Sequence, residues 1–204
     1  TQRMTKLLRQ VRDNNEVKAV ILRINSPGGS ALASEEIWKE VALTAAKKTL
    51  YVSMGDYAAS GGYYIAMPAV KIFANPMTIT GSIGVFGVVP YAGDFFENKL
   101  GVTTDEVRTH RYGSLSLTKQ LSPEELNFMQ EEVDAIYLKF IERVSDGRHM
   151  TQAEIQQVAR GRVWTGKAAQ QCGLIDELGG MQTAIQALQK KAGVSEVVFY
   201  PQQE

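Results

Sequence analysis

The chain has 204 residues, of which 44% are hydrophobic and 22% are charged, and its 22 basic and 22 acidic residues give a formal net charge of zero. This length is enough for one domain with a substantial core. The charge balance provides no basic surface for nucleic acid. The single cysteine, Cys172, excludes an internal disulfide and a site built from several cysteines. No apolar run approaches the roughly 18 residues of a membrane-spanning helix, so we expect a soluble chain.

The first half of the chain alternates between strand and helix patterns. Residues 17–24 are apolar and β-branched and predict a buried strand, which ends in the loop at 25–30. A helix with Ser34 as its predicted N-cap leads to a second strand at 49–54, and a third strand is predicted at 70–74. This order indicates an α/β fold with a mostly parallel sheet, in which the strand ends carry the functional loops.

Residues 55–67, with the sequence GDYAASGGYYIAM, join the second strand to a predicted helix that runs to about Met67. One hydroxyl, that of Ser60, stands between alanines and glycines, and such small neighbours let a substrate backbone approach closely. A serine at a helix start also has unpaired backbone N–H groups beside it, which can hold an oxyanion. These features indicate a nucleophile, although Ala58 replaces the first glycine of the G-x-S-x-G elbow. The alternative is a plain turn in which Ser60 caps the helix.

The second half of the chain is mainly helical. Residues 78–89 are small, apolar and glycine-rich, and they predict either a buried strand or a groove to which an extended peptide adds as a strand. Ser122 begins a helix that should reach about Ser145, with an apolar stripe typical of core or subunit contact. The other predicted elements are a helix at 91–99, a strand at 102–108, a loop at 109–121, a short helix after Thr151, a helix that ends at Gly173, a last helix that ends at Lys191, and a final strand at 194–200.

Metal and dinucleotide chemistry lack their residue patterns. The two histidines, His110 and His149, have no second ligand at helical spacing, so we predict no metal site. Gly28 and Gly29 do not belong to a G-x-G-x-x-G pattern, so we predict no dinucleotide and no other cofactor. Serine nucleophile chemistry remains, and it requires a base.

Two kinds of base could serve Ser60. A Ser-His-Asp arrangement would use His110 or His149. A Ser-Lys dyad would use a lysine whose pKa is lowered by burial, so that it is a neutral base near neutral pH. The downstream lysines that could serve are Lys71, Lys99, Lys119 and Lys139, and each of them lies in a pattern typical of a solvated charge.

Five blocks of this sequence resemble, in the same order, the signal peptide peptidase SppA (protease IV) family. They are NSPGG at 25–29, GDYAASGGYY at 55–64, TGSIGV at 80–85, GRVWTG at 161–166 and GLIDELG at 173–179. The resemblance implies the α/β superhelical fold of the ClpP/crotonase superfamily, with β-β-α units, over one domain that spans residues 1–204. It also implies a membrane-associated serine protease that degrades cleaved signal peptides.

The residues that match the family's motifs have implied roles. Ser60 would be the nucleophile, and Ser82 would hydrogen-bond the catalytic lysine. The implied oxyanion donors are the N–H of Gly61 and an N–H of Gly28 or Gly29. The implied substrate-binding residues are Ile83 and Val85 of the apolar stretch.

One element departs from the family pattern. Shorter family members carry the general-base lysine in the same chain, downstream of the serine, but residues 110–114 here read HRYGS. The long form of the family has two related halves, with the lysine in the N-terminal half and the serine in the C-terminal half. This chain resembles the C-terminal half, so we expect the base on an N-terminal half that lies outside it.

The implied partners are peptide substrates, that N-terminal half and further copies in a homo-oligomer. The implied location of the parent protein is the bacterial inner membrane, with the catalytic domain on the extracytoplasmic side. Two alternative functions remain. A crotonase-type acyl-CoA enzyme would use an oxyanion loop without a serine nucleophile, and a catalytically silent half would only scaffold an assembly.

Overall fold

The computed structural model describes residues 1–107, 109 and 116–200, which form an α/β protein with a mostly parallel sheet, as the element order predicts. The strands are β1 (Ala19–Ser26), β2 (Thr49–Ala59), β3 (Lys71–Ala74), β4 (Ile79–Gly81), β5 (Val163–Thr165) and β6 (Glu177–Leu178). The helices are α1 (Gln2–Asp13), α2 (Ala31–Ala45), α3 (Gly61–Tyr64), α4 (Gly93–Leu100), α5 (Pro123–Arg148), α6 (Gln152–Val158), α7 (Gly166–Gln171) and α8 (Met181–Ala192).

The sheet is organised around β2. Strand β1 pairs with β2 along one edge, while β3 pairs with the first part of the opposite edge and β4 with its last three residues. All three pairings are parallel, and β6 continues the sheet in parallel beside β3. Strand β5 is antiparallel to β4. Most of β2 is buried, as expected for a parallel strand covered on both faces.

Helix α8 covers one face of this sheet. Its residues Ala184 and Leu188 pack on Tyr51 of β2 and Phe73 of β3, whose ring centroids are 5.8 Å apart. Burial of each large apolar side chain contributes about 1.5–3 kcal/mol. Helices α2 and α3 also contact β2, so the strand that leads to Ser60 is held by packing as well as by its neighbours in the sheet.

The chain divides into two compact units. The first contains Thr1–Gly84 and Leu138–Glu204, and it holds all six strands. The second contains Val85–Tyr137, with α4 and the first part of α5. The predicted apolar stripe of α5 is core in its last part, where Phe140 and Val144 are buried. In its first part Leu126 is exposed.

Several element boundaries differ from the sequence predictions. Helix α2 begins after Ser30, whose side chain accepts a hydrogen bond from the Ala33 N–H; the predicted N-cap, Ser34, is buried and donates to the Ser30 carbonyl. Strand β2 continues beyond Met54 to Ala59, and the helix after Ser60 ends at Tyr64 rather than near Met67.

Three predicted strands are shorter or absent. Of residues 78–89 only Ile79–Gly81 form a strand, because Ser82 has a φ of 48° and turns the chain out of the sheet. The described residues 102–107 and 194–200 form no strand. The predicted loop at 109–121 lies partly outside the described residues, and His110 lies wholly outside them.

Two predicted helix starts are confirmed with their capping boxes. Ser122 Oγ accepts from the Glu125 N–H, and the Glu125 carboxylate accepts from the Ser122 N–H. Thr151 and Glu154 form the same reciprocal pair at the start of α6. Such pairs satisfy two backbone donors at a helix start, which is why the sequence signal is reliable.

An ion-pair cluster joins α1 to α2. The buried carboxylate of Glu40 accepts from Arg9 Nε at 2.8 Å and from Arg12 Nη1 at 2.6 Å. The hydrogen bond from Arg9, together with that from Arg12, outweighs the effect of burial and holds the pKa of Glu40 below its usual range. Because the folded-state pKa is lowered, the stabilisation is present above the ordinary carboxyl pKa and is lost as the pH falls through the folded-state value.

We therefore expect Glu40→Gln to lower the free energy of unfolding at neutral pH by roughly 1.5–3 kcal/mol, since hydrogen bonds to a charged group would be lost. The variant should also lose less stability than the wild type when the pH falls from about 7 to about 3. Urea unfolding across this pH range measures both effects. Glu36→Gln, at an exposed position of the same helix, is the control and should change neither value. Equal pH dependence in wild type and Glu40→Gln would contradict the assignment.

Candidate active site

Ser60 lies at the junction between β2 and α3 in a conformation that side chains rarely adopt. Its φ is 50° and its ψ is −120°. Its N–H donates to the Gly81 carbonyl at 2.9 Å, and its carbonyl accepts from the Tyr64 N–H at 2.9 Å. A positive φ at a residue other than glycine costs on the order of 1–3 kcal/mol and persists only where the surrounding structure enforces it. Such strain is typical of a serine displayed at a strand–turn–helix junction.

Strand β4 fixes the end of β2 from one side. The pairing joins Ala59 to Gly81, and Thr80 Oγ1 donates to the Ala58 carbonyl at 2.7 Å. Ser82 follows directly, with its own positive φ and with its N–H donated to the Arg162 carbonyl at 2.8 Å. Both serines of the predicted site therefore follow neighbouring parallel strands at the same edge of the sheet.

The loop after β1 lies against Ser60 at a distance that only glycine permits. A Cβ atom at Gly28 would lie 2.7 Å from Ser60 Cβ and 3.0 Å from the Gly61 nitrogen. A Cβ atom at Gly61 would lie 2.3 Å from Ser34 Oγ and 3.5 Å from the Gly29 nitrogen. The structure thus brings together Ser60 and the three glycines predicted from sequence.

Two of the three glycine N–H groups have no acceptor among the described residues. The Gly28 N–H donates to Ser26 Oγ at 3.2 Å, whereas the N–H groups of Gly29 and Gly61 form no hydrogen bond in the described part of the chain. The sequence left the choice between Gly28 and Gly29 open. The hydrogen bonds favour Gly29, because its donor is available to an oxyanion.

The two predicted substrate-binding residues have different environments. Ile83 has none of its side chain exposed, so it belongs to the core and offers no open surface to a peptide. Val85 is half-buried and is the first residue of the second unit. Phe86 and Val88, which follow it, are 85% and 76% exposed.

Ser60 Oγ forms no hydrogen bond with any described residue, so the structure assigns it no base. Lys71 pairs with Glu177 at 2.5 Å, and this hydrogen bond raises the lysine's pKa, which is the wrong direction for a neutral base. Lys139 pairs with Glu142 at 3.5 Å, and Lys119 lies 3.9 Å from Glu125. The remaining candidates are Lys99 and His149, which are exposed, and His110, which lies outside the described residues.

A partly buried polar cluster that joins α2, α3 and α5 was not found from sequence. The Glu35 carboxylate of α2 accepts hydrogen bonds from Tyr64 Oη and from Arg143 Nη2, the latter at 2.8 Å. The Arg143 guanidinium also stacks 3.5 Å over the Trp38 ring. Burial, with the hydrogen bond to Glu35, raises the pKa of Tyr64. The cluster connects α2 to α3, the short helix after Ser60. Its residues are far apart in the chain, so no local sequence pattern predicts it.

Among the described residues, no group of three or more histidine, cysteine or acidic side chains could hold a metal ion. None of the described helices is long and apolar enough to cross a membrane.

Ser60 combines a strained backbone with neighbouring N–H groups that have no acceptor among the described residues, at the end of a strand in a mostly parallel sheet. This arrangement is typical of serine peptidases. Comparison with known proteins gives the family: the sequence profile of Peptidase family S49 matches residues 42–195. The chain therefore belongs to Peptidase family S49. The ClpP-like fold expected from the resemblance is confirmed.

The chain is similar to several named proteases. It is 47% identical to Protease 4 of Salmonella typhi over 182 residues, which cover 87% of this chain and 29% of that protein. It is 39% identical to the chloroplastic serine protease SPPA of Arabidopsis thaliana over 95% of this chain and 29% of that protein. It is 37% identical to a putative signal peptide peptidase SppA of Enterococcus faecium over 90% of this chain and 54% of that protein. The chain thus spans less than a third of the first two relatives.

Proposed function

We propose that this chain is the serine-bearing part of a serine endopeptidase of the Ser-Lys type, with Ser60 as the nucleophile. The observation that carries the proposal is the strained backbone of Ser60 beside the N–H groups of Gly29 and Gly61, which have no acceptor among the described residues. A catalytically silent scaffold would have no need to maintain this strain.

In the proposed reaction Ser60 Oγ attacks the carbonyl carbon of a peptide bond while a lysine amine takes the hydroxyl proton. The carbonyl oxygen becomes an oxyanion, to which the N–H groups of Gly29 and Gly61 donate. The intermediate collapses, the C–N bond breaks, and the protonated lysine returns its proton to the leaving amine. Water, deprotonated by the lysine, then attacks the acyl-enzyme and releases Ser60. Ser82 would orient the lysine.

The lysine is proposed to come from an N-terminal half of a longer protein. Two observations support this. The lysines of the described residues that lie downstream of Ser60 are either paired with carboxylates or exposed, and none bonds to Ser60. The chain also covers only 29% of Protease 4 of Salmonella typhi, so such relatives have ample additional sequence that could supply a base.

The proposed substrates are cleaved signal peptides and other small, apolar, membrane-associated peptides. The name of the Enterococcus faecium relative supports this substrate class. The exposed apolar side chains at 86–89 also suit an extended apolar peptide, which could pair with this segment as a strand. We further propose a homo-oligomer at the bacterial inner membrane, with the catalytic domain on the extracytoplasmic side, on the basis of the family resemblance.

A longer protein with both halves should hydrolyse apolar signal-like peptides, whereas these 204 residues alone should be nearly inactive because the proposed base lies on the other half. Absence of the general base typically costs about 10²–10⁴-fold in rate. Parallel assays of peptide hydrolysis by the two proteins measure the difference. Robust hydrolysis by the 204 residues would contradict an external base and make His110 and Lys119 the first residues to replace. Retention of a coenzyme A thioester without peptide hydrolysis would instead favour a crotonase-type enzyme.

A further inference from the structure

Strand β2 contains an insertion just before the Ser60 junction. In the pairing with β1, Ile24 lies opposite Met54, and Ser26 lies opposite Ala58. One residue of β1, Asn25, therefore faces three residues of β2, at positions 55–57. Such a bulge bends its strand and leaves backbone groups without their partners in the ladder.

The side chain of Asn25 supplies the missing acceptor. Its Oδ1 accepts from the Asp56 N–H at 3.0 Å and from the Tyr57 N–H at 3.1 Å. Both partners are donors, so the orientation of the amide is determined chemically. A Cβ atom at Gly55 would lie 2.6 Å from this oxygen, so the glycine leaves the space that the amide occupies.

Thr78, the residue directly before β4, also contacts the insertion. The buried hydroxyl of Thr78 donates to the Gly55 carbonyl at 2.7 Å. The insertion is also the point where β2 changes neighbours, because residues 51–53 pair with β3 and residues 57–59 pair with β4. The path of the last residues of β2, which end at Ser60, therefore depends on the geometry of the insertion.

We propose that Asn25 is a positioning residue for Ser60: by accepting from two consecutive N–H groups of the β2 bulge, its amide directs the end of β2 so that the Ser60 hydroxyl faces the donors of Gly29 and Gly61. This inference rests on the proposed function of Ser60. Asn25 does not touch the substrate or the reacting atoms in this role, and its effect is transmitted through the backbone of residues 56–59.

The exposure of Asn25 separates positioning from simple stabilisation. Because the side chain is exposed, water can hydrate the two N–H groups when the amide is lost, so folding should change little. Water does not impose the bulge geometry, however, and misplacement of a reacting group by about 1 Å can cost on the order of 100-fold in rate.

The test compares Asn25→Leu, which removes the acceptor at similar size, with Asn25→Asp, which retains an oxygen acceptor. In the longer protein, Asn25→Leu should lower kcat for peptide hydrolysis and the rate of labelling by a fluorophosphonate by about 10- to 100-fold, with KM nearly unchanged. Asn25→Asp should stay within about threefold of wild type, because two N–H donors suit a carboxylate. In the 204-residue chain, amide hydrogen exchange at Asp56 and Tyr57 should accelerate in Asn25→Leu only.

Asn14→Leu is the matched control. Asn14 Oδ1 accepts from one backbone N–H, that of Glu16, at the end of α1, so this variant loses a similar bond away from β2. It should label at the wild-type rate.

The outcomes distinguish this inference from the proposed function. The positioning role would be overturned if Asn25→Leu were labelled at the wild-type rate, or if Asn25→Asp lost as much labelling as Asn25→Leu. The proposed function would still stand in either case, provided that Ser60→Ala is not labelled. Full labelling of Ser60→Ala would overturn the proposed function itself. If Asn25→Leu does not fold, Asn25→Gln replaces it, because the longer side chain moves the acceptor by one methylene. The inference would then be overturned if the Asp56 and Tyr57 amides of Asn25→Gln exchanged fast while its kcat stayed at the wild-type value.

Discussion

Replacement of Ser60 by alanine in the longer protein is expected to abolish both fluorophosphonate labelling and peptide hydrolysis, with a loss in kcat on the order of 10⁶-fold. The substitution removes only the Oγ atom, which is the proposed nucleophile. The backbone strain at φ of 50° is about the same for alanine as for serine, so the variant should fold like the wild type. Thermal unfolding of Ser60→Ala should match that of the wild type. Such a match would show that the variant loses activity because it lacks the nucleophile and not because it unfolds.

The control is Ser195→Ala, at an exposed serine after α8 whose hydroxyl forms no hydrogen bond with any described residue. It should label and hydrolyse like the wild type. Undiminished labelling of Ser60→Ala would exclude Ser60 as the nucleophile. Normal peptide hydrolysis by the same variant would favour a scaffold role for this chain and place the active centre elsewhere in the longer protein.

Gly28→Ala is expected to cost activity and stability together. The new Cβ atom would lie 2.7 Å from Ser60 Cβ and 3.0 Å from both the Ala59 carbonyl oxygen and the Gly61 nitrogen. None of these atoms is the end of a flexible side chain, so the loop or the Ser60 junction must move. The φ of 110° adds strain for any residue with a Cβ atom. We expect a loss of about 2–4 kcal/mol in the free energy of unfolding.

The same displacement should slow labelling of the folded protein by about 100-fold, because it separates Ser60 from the proposed oxyanion donors. Gly193→Ala controls for the backbone term, since Gly193 has a φ of 66° and no atom within 4 Å of an added Cβ. It should cost about 1–2 kcal/mol and leave labelling unchanged. Urea unfolding and labelling rates of the two variants measure both effects. A Gly28→Ala variant that resembled Gly193→Ala in both would show that the close approach to Ser60 is unimportant.

Local signals predicted most of the elements, and they failed where the tertiary structure overrides them. The capping boxes at Ser122 and Thr151 were readable because each is complete within four residues. The start of α2 was misassigned to Ser34 because two serines could both cap, and only burial decides between them. The end of β2 was missed because Asp56 and Tyr57 are exposed in the bulge and interrupt an otherwise buried pattern.

The sequence by itself determined the chemical groups of the site: one serine between small residues, a double glycine after a neighbouring strand, and the blocks that resemble one peptidase family. These signals are local, so they survive without coordinates. Only the tertiary structure distinguished the two donors, because the Gly28 N–H bonds to Ser26 Oγ and that of Gly29 has no acceptor in the described part of the chain. It also decided that Asn25 completes the β2 bulge and that Ile83 belongs to the core, since both depend on contacts between segments that are distant in the chain.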